Sequence, residues 1–117
     1  DKRTDIYNPN IIRASRGTVF TKQAAVAESD ETIGWLKENK VKIFATAPAV
    51  KKIYTDVDFR GPSAIVMGAE DIGLSEKWIK AADEKIKIEM RGKIDSLNVS
   101  VSLAIILFEV LRQRSVD

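Results

Sequence analysis

The chain has 117 residues, with 19 Lys and Arg against 17 Asp and Glu for a net charge of +2, and it contains neither cysteine nor histidine. That length accommodates one domain with a modest core, and the absent residue types exclude disulfides, a thiolate metal site, a zinc enzyme and any Ser/His or Cys/His hydrolase. An excess of two positive charges does not by itself imply nucleic-acid binding, so any such contact must come from local clustering.

Asn8-Pro9 reads as a helix start, Asn as N-cap and Pro at the first helical position, and Gly17 as its stop. Between them Arg13 and Arg16 are three apart and share one face; with Lys2, Arg3 and Lys22 they form the basic positions near the start. Thr18 to Val26 has strand character in its first half. Asp30 to Asn39 carries Ile33, Trp35 and Leu36 on an amphipathic helix that Gly34 weakens. VKIFAT is a short strand running into Ala47-Pro48, residues 49–62 are the least patterned stretch, and Arg60-Gly61-Pro62 marks a turn. From Ser63 strand and helix alternate: SAIVMG, a helix from Ser75 to about Ala82, KIKIEM, and a long helix from Ser96 or Asn98 to about Arg114.

That alternation predicts an α/β fold with a mainly parallel sheet flanked by helices. AIVM is expected to be buried on both faces, whereas the strict alternation of KIKIE fits one wet face or an edge position. On the last helix, positions 99, 103, 106 and 110 form one apolar stripe and 104, 107, 108 and 111 a second beside it, which is wider than one sheet face covers. The second stripe fits either a central core helix or a subunit interface. The apolar run Val99 to Val110 is interrupted by Ser100, Ser102 and Glu109 and is too short to span a bilayer. With no signal peptide legible, the expectation is a soluble cytoplasmic protein with no membrane partner.

Two loops share one design, each leaving an apolar strand and opening a helix: MGAEDIGLSEKW after SAIV, and MRGKIDSLNVSVSLAIILFEVL after KIKIE. Both therefore belong at the carboxyl edge of the sheet, where open α/β folds bind ligands. Each polar residue in them has a plain structural explanation as well. Gly68 and Gly73 can serve a tight turn, Glu70 can be a solvated carboxylate, and Ser75, Ser96 and Asn98 can cap helices.

The two motifs, in this order and spacing, resemble motifs 2 and 3 of the SpoU/TrmH-type RNA ribose 2′-O-methyltransferases of the SPOUT class, and DIYNPNIIRASRGTVF resembles a segment from the middle of their catalytic domain. On that resemblance residues 1–117 are expected to form a SpoU-type catalytic domain lacking its first strand and helix. Those carry motif 1, with the Arg held to activate the ribose hydroxyl. The fold implied is a SPOUT domain with a carboxyl-terminal trefoil knot, a topology that composition could not foretell.

The implied activity is transfer of a methyl group from S-adenosylmethionine to a ribose 2′-OH of rRNA or tRNA, without a metal; a non-catalytic cofactor-binding or dimerisation fragment is the alternative. By resemblance Met67, Gly68, Gly73, Ile88, Met90, Leu97 and Asn98 hold the cofactor, while Glu70, Ser96 and Asn98 lie near the reacting groups. Arg13, Arg16 and Arg114 are the RNA-contacting candidates. Glu89 stands where the family usually has proline, in a string that here reads Ile88-Glu89-Met90. The family's homodimers further imply a second copy of the chain against the last helix.

Overall fold

The computed structural model describes residues 25–68, 73–90 and 98–115. By internal contacts the chain divides into two compact units, Asp1–Thr32 and Ile33–Asp117, and the sheet lies in the second. The expected helix between Asn8 and Gly17 falls outside the described residues, as does most of the expected strand from Thr18; Ala25 and Val26 have no regular structure.

Helix α1 spans Ser29–Glu38, with Asp30 and Glu31 in its first turn and Lys37 in its last, the polarity its backbone dipole favours. Leu36 is buried and Ile33 half-buried, but Trp35 faces solvent. The helix ends without a glycine. Lys40 takes the left-handed conformation, φ 56°, while Val41 N–H donates to Leu36 C=O and Lys40 N–H to Lys37 C=O. This is the two-bond stop usually built on Gly.

Three parallel strands follow: β1 (Lys42–Thr46), β2 (Ser63–Val66) and β3 (Glu84–Ile86), in the order β2-β1-β3. The central strand is the apolar KIFAT, in which Ile43, Phe44 and Ala45 are all buried. Its register is held at the amino end, where Lys42 N–H donates to Pro62 C=O and Ile43 exchanges bonds with Asp83, its N–H donating to Oδ2 at 2.7 Å and its C=O accepting from Asp83 N–H at 2.8 Å. Strand β2 is half-buried throughout, not enclosed as its apolar run predicted, because among the described strands it has β1 as its one neighbour. Strand β3 is shorter than KIKIEM and starts one residue earlier, with Ile86 buried and Lys85 exposed. Lys87 extends it by pairing with Ile53.

The core sits on the face of the sheet that Phe44 and Ile86 share. Phe44, Val57, Phe59, Ile86 and Ile106 form one buried cluster, with Tyr54, Ile65, Met67, Ile88 and Val110 packed on it. The Phe44 and Phe59 rings lie 4.5 Å apart at 50°, a tilted aromatic pair. Two core residues thus come from the stretch that looked least patterned. After a single 3-10 turn at Tyr54–Asp56, Val57 and Phe59 point inward, while Asp58 lies outside against Arg60. Hydrogen bonds from the Arg60 side chain and backbone hold the Asp58 carboxyl at about 2.

Helix α2 (Glu76–Ala81) joins β2 to β3, and helix α3 (Val99–Arg114) closes the core with Ile106 and Val110. The far end of α3 is fastened to the 57–61 segment. Gln113 donates to Val57 C=O at 2.9 Å and accepts from Phe59 N–H at 2.7 Å; Arg114 donates to the Phe59 and Gly61 carbonyls at 3.0 and 2.8 Å. Behind Gln113, Glu109 is buried and takes bonds from Gln113 and from both arms of Arg112. The two apolar stripes separate as their spacing predicts. Ile106 is buried with Val99, Leu103 and Val110 half-buried, whereas Ala104, Leu107, Phe108 and Leu111 are exposed, Phe108 by 73%.

Removing the Phe59 ring deletes half of the aromatic pair and opens the centre of the cluster, so Phe59→Ala is expected to cost about 3–5 kcal/mol in urea unfolding. The Arg112 hydrogen bonds hold the Glu109 carboxyl below its ordinary value of 4.5, with help from Gln113 and against the effect of burial. A carboxyl lowered in the folded state stabilises the fold above its unfolded value, and that contribution is lost as the pH falls through the lowered one. The stability advantage of wild type over Glu109→Gln is therefore expected to shrink between neutral pH and the acid side of 4.5. Because Arg112 is solvent-exposed, the change is modest; a constant difference across that range would contradict it.

Candidate functional site

Parallel strands end at one edge, so the residues following β1, β2 and β3 are brought together by topology. Ala45 is opposite Val66 and Thr46 opposite Ile86, which puts Met67-Gly68 on one side of the β1 end and Ile88 to Met90 on the other. Two bonds tie this edge. Thr46 Oγ1 donates to Val66 C=O at 3.2 Å, and Ala47 N–H donates to Ile86 C=O at 2.9 Å. Met67 and Ile88 are half-buried, their inner sides packed on the core, and Met90 is also half-buried.

The first loop closes on itself. A Cβ built on Gly68 would overlap the Gly73 carbonyl carbon and the Leu74 nitrogen, so no larger residue fits there without moving the loop. Gly73 has φ +67°, the left-handed region in which glycine carries no side-chain penalty. The turn explanation for both glycines is thereby met, and their closure fixes where the main chain of Met67-Gly68 is presented. Leu74 is half-buried, and Ser75 stands as N-cap of α2 without a side-chain capping bond.

Asn98 is the N-cap of α3, its Oδ1 accepting from Ser100 N–H at 2.8 Å. The capping role of this residue is therefore real, and it employs the oxygen of the amide. Glu70, Ser96 and Leu97 lie outside the described residues, as do Arg13 and Arg16. Arg114 is placed away from this edge. Its partners Phe59 and Gly61 precede β2, next to the Pro62 carbonyl that accepts from the first residue of β1. The guanidinium thus anchors α3 at the amino edge of the sheet, which does not fit the expected phosphate contact near the site.

The open cleft of about 330 Å³ lined by Lys37, Lys40, Val41, Lys42 and Asp83 is also at the amino edge. Two of its lysines are engaged, Lys37 with the Ala81 carbonyl and Lys42 with Glu84, and the carboxyl end of α1 adds negative character there. It is remote from the loops and is not the centre of their chemistry. Among the described residues no group of His, Cys, Asp and Glu could hold a metal ion, and no helix is long and apolar enough to cross a membrane.

One contribution to the carboxyl edge was not anticipated. The connection leaving β1 returns along the outer side of β3, where Lys87 N–H donates to Lys52 C=O and Tyr54 N–H to Lys87 C=O, both at 2.9 Å. The end of β3 is thus bracketed by Ala47 on one side and Lys52 to Tyr54 on the other, two parts of a single connection. The only sequence signal was Ala47-Pro48, a break after an apolar strand.

Comparison with known proteins agrees with this architecture. Residues 1–108 match the SpoU rRNA Methylase family. Over 85 residues, 72% of the chain, it is 45% identical to the tRNA (guanosine(18)-2′-O)-methyltransferase of Thermus thermophilus, of which the alignment covers 44%. The crystal structure of an RNA 2′-O ribose methyltransferase superposes with a TM-score of 0.89 at 41% identity, over 97% of this chain and 44% of that one. That of an AdoMet-bound rRNA methyltransferase from Sinorhizobium meliloti does so with a TM-score of 0.90 at 31% identity, over 96% and 43%. The chain spans less than half the length of these relatives. Its parallel sheet, its paired loops and these similarities together make the chain a member of the SpoU RNA methylase family.

Proposed function

We propose that the whole protein containing this chain transfers a methyl group from S-adenosylmethionine to a ribose 2′-OH of ribosomal or transfer RNA, and that residues 1–117 supply the carboxyl-terminal part of its catalytic domain. The observation that carries this reading is the convergence of Met67-Gly68 and Ile88 to Met90 on either side of the β1 end, in a family whose solved members include an AdoMet-bound rRNA methyltransferase. The residues present suit such a nucleoside sulfonium. Half-buried Met67, Ile88 and Met90 offer apolar surface, and Gly68, too close to Gly73 and Leu74 to carry a side chain, offers main chain at the edge.

When bound, the cofactor supplies a methyl on a sulfonium that departs as a neutral thioether, so no metal is required. The protein's task is positioning and electrostatics. Met67, Gly68, Gly73, Ile88, Met90 and Leu97 would hold the cofactor and exclude water from it. Asn98, with Oδ1 committed to the helix cap, has its amide nitrogen to direct at the ribose hydroxyl or the cofactor, and Glu70 and Ser96 would shape the charge around the reacting groups. Arg13 and Arg16 would meet RNA phosphate. A carboxyl-terminal trefoil knot is part of the proposal, supported by the bracketing of the β3 end between two parts of one connection. So are a cytoplasmic location and a homodimer through the exposed stripe of α3.

Asn98→Asp separates the two roles of this side chain. It keeps an oxygen to cap α3 but removes the amide donor, so stability is expected to stay within about 0.5 kcal/mol while transfer of labelled methyl to RNA ribose falls at least about tenfold. Undiminished transfer would reduce Asn98 to a cap, and absence of transfer by a folded, cofactor-binding wild type would favour the non-catalytic alternative. In sedimentation, Phe108→Glu is expected to shift a wild-type dimer toward monomer, because a charge would be buried in an apolar contact. A wild type that stays monomeric at high concentration would contradict the dimer.

A further inference from the structure

The basic residues assigned to RNA from the sequence leave the described part of the site without a cation at its rim, since Arg114 is fastened at the opposite edge. The structure brings other cations there. Lys85 and Lys87 are two apart on β3 and its extension, so they project from the same face. At the ordinary strand rise their backbones are about 7 Å apart. Lys51 is exposed two residues before Ile53, the partner of Lys87. None of the three pairs with a carboxylate among the described residues. The neighbouring acids are largely committed elsewhere: Glu84 is shared by Lys42 and Lys52, and Asp83 holds the N–H of Ile43. Glu89, exposed just beyond, is an opposing charge among the described residues.

We propose that Lys51, Lys85 and Lys87 form a phosphate track for single-stranded RNA, running along the face of β3 from which Lys85 and Lys87 project, to the Ile88–Met90 loop. The inference rests on the RNA methyltransferase reading and names the surface by which substrate reaches that site. Flexible ammonium groups suit this work because they meet phosphate as point charges and read no sequence. Glu89, within that loop, opposes the phosphate backbone where the track ends. The competing explanation is that lysines guard an edge strand against pairing with other chains. Here, however, the outer side at Lys87 is already taken by hydrogen bonds to Lys52 and Tyr54, so that position needs no guard.

The test uses a short fluorescein-labelled single-stranded RNA, titrated by anisotropy over a range of salt, with calorimetric titration of S-adenosylhomocysteine alongside. The double variant Lys85→Gln/Lys87→Gln is expected to bind RNA several-fold more weakly and with a salt slope lower by about 1.4, about 0.7 for each lost phosphate contact. It should bind S-adenosylhomocysteine as wild type does, and Glu89→Gln should bind RNA more tightly. If wild type binds RNA and the double variant matches it in affinity and slope, the track is overturned while the methyltransferase reading stands. If wild type binds no RNA at low salt, both fall. A double variant that aggregates while its soluble fraction binds RNA normally would make these lysines edge guards and also overturn the track.

Discussion

Both edges of β1 are hydrogen-bonded and its three middle residues are buried, and the rest of the described structure is arranged around that condition. A strand so enclosed can spare no polar side chain along its middle, and Ile43-Phe44-Ala45 meets this requirement. Its neighbours must run parallel to it because helix-containing or long connections return each one to the same starting edge. Every loop that leaves a strand therefore emerges at the other edge. The convergence of Met67-Gly68 with Ile88 to Met90 is a consequence of how β1 is buried and paired.

The same face of β1 explains why α3 sits where it does. Phe44 offers a ring to Phe59, and the short turn at Tyr54–Asp56 delivers Phe59 and Val57 to it. The main chain on either side of these residues would be left with polar groups under the helix. Gln113 and Arg114 satisfy them, each with the donors or acceptors that its side chain can offer. The buried carboxylate of Glu109 orients Gln113 and is itself neutralised by Arg112 at the surface. Polar bonds thus position the far end of the helix, while Ile106 and Val110 supply its apolar hold.

Much of this was legible in the sequence where periodicity operates. The strand-helix alternation after Ser63, the apolar centre of KIFAT and the two stripes of the last helix all follow from spacing, and the structure places them as that spacing predicts. The paired loops identified the family because their motifs extend over many residues in fixed order. What escaped was information held in long-range pairing. Val57 and Phe59 lie in a stretch too short and too mixed to show a period, yet tertiary contact buries both. Arg114 read as an RNA phosphate contact because nothing in its neighbourhood announces two carbonyls more than fifty residues earlier in the chain. The αL stop at Lys40 was hidden because the signal for such a stop is glycine, whereas here a lysine takes that conformation.

The bracketing of the β3 end bears on the order in which the chain can assemble. Ile86 bonds to Ala47 on one flank and Lys87 to Lys52 and Tyr54 on the other, so two parts of one connection are fixed on the same short segment. Each of these contacts joins residues more than thirty positions apart, and closure over such distances is slow compared with helix formation. Helices α1 and α3 can form early from local contacts alone. The edge that carries the two loops is therefore expected to close after the helices, because both flanks of the β3 end depend on these distant contacts.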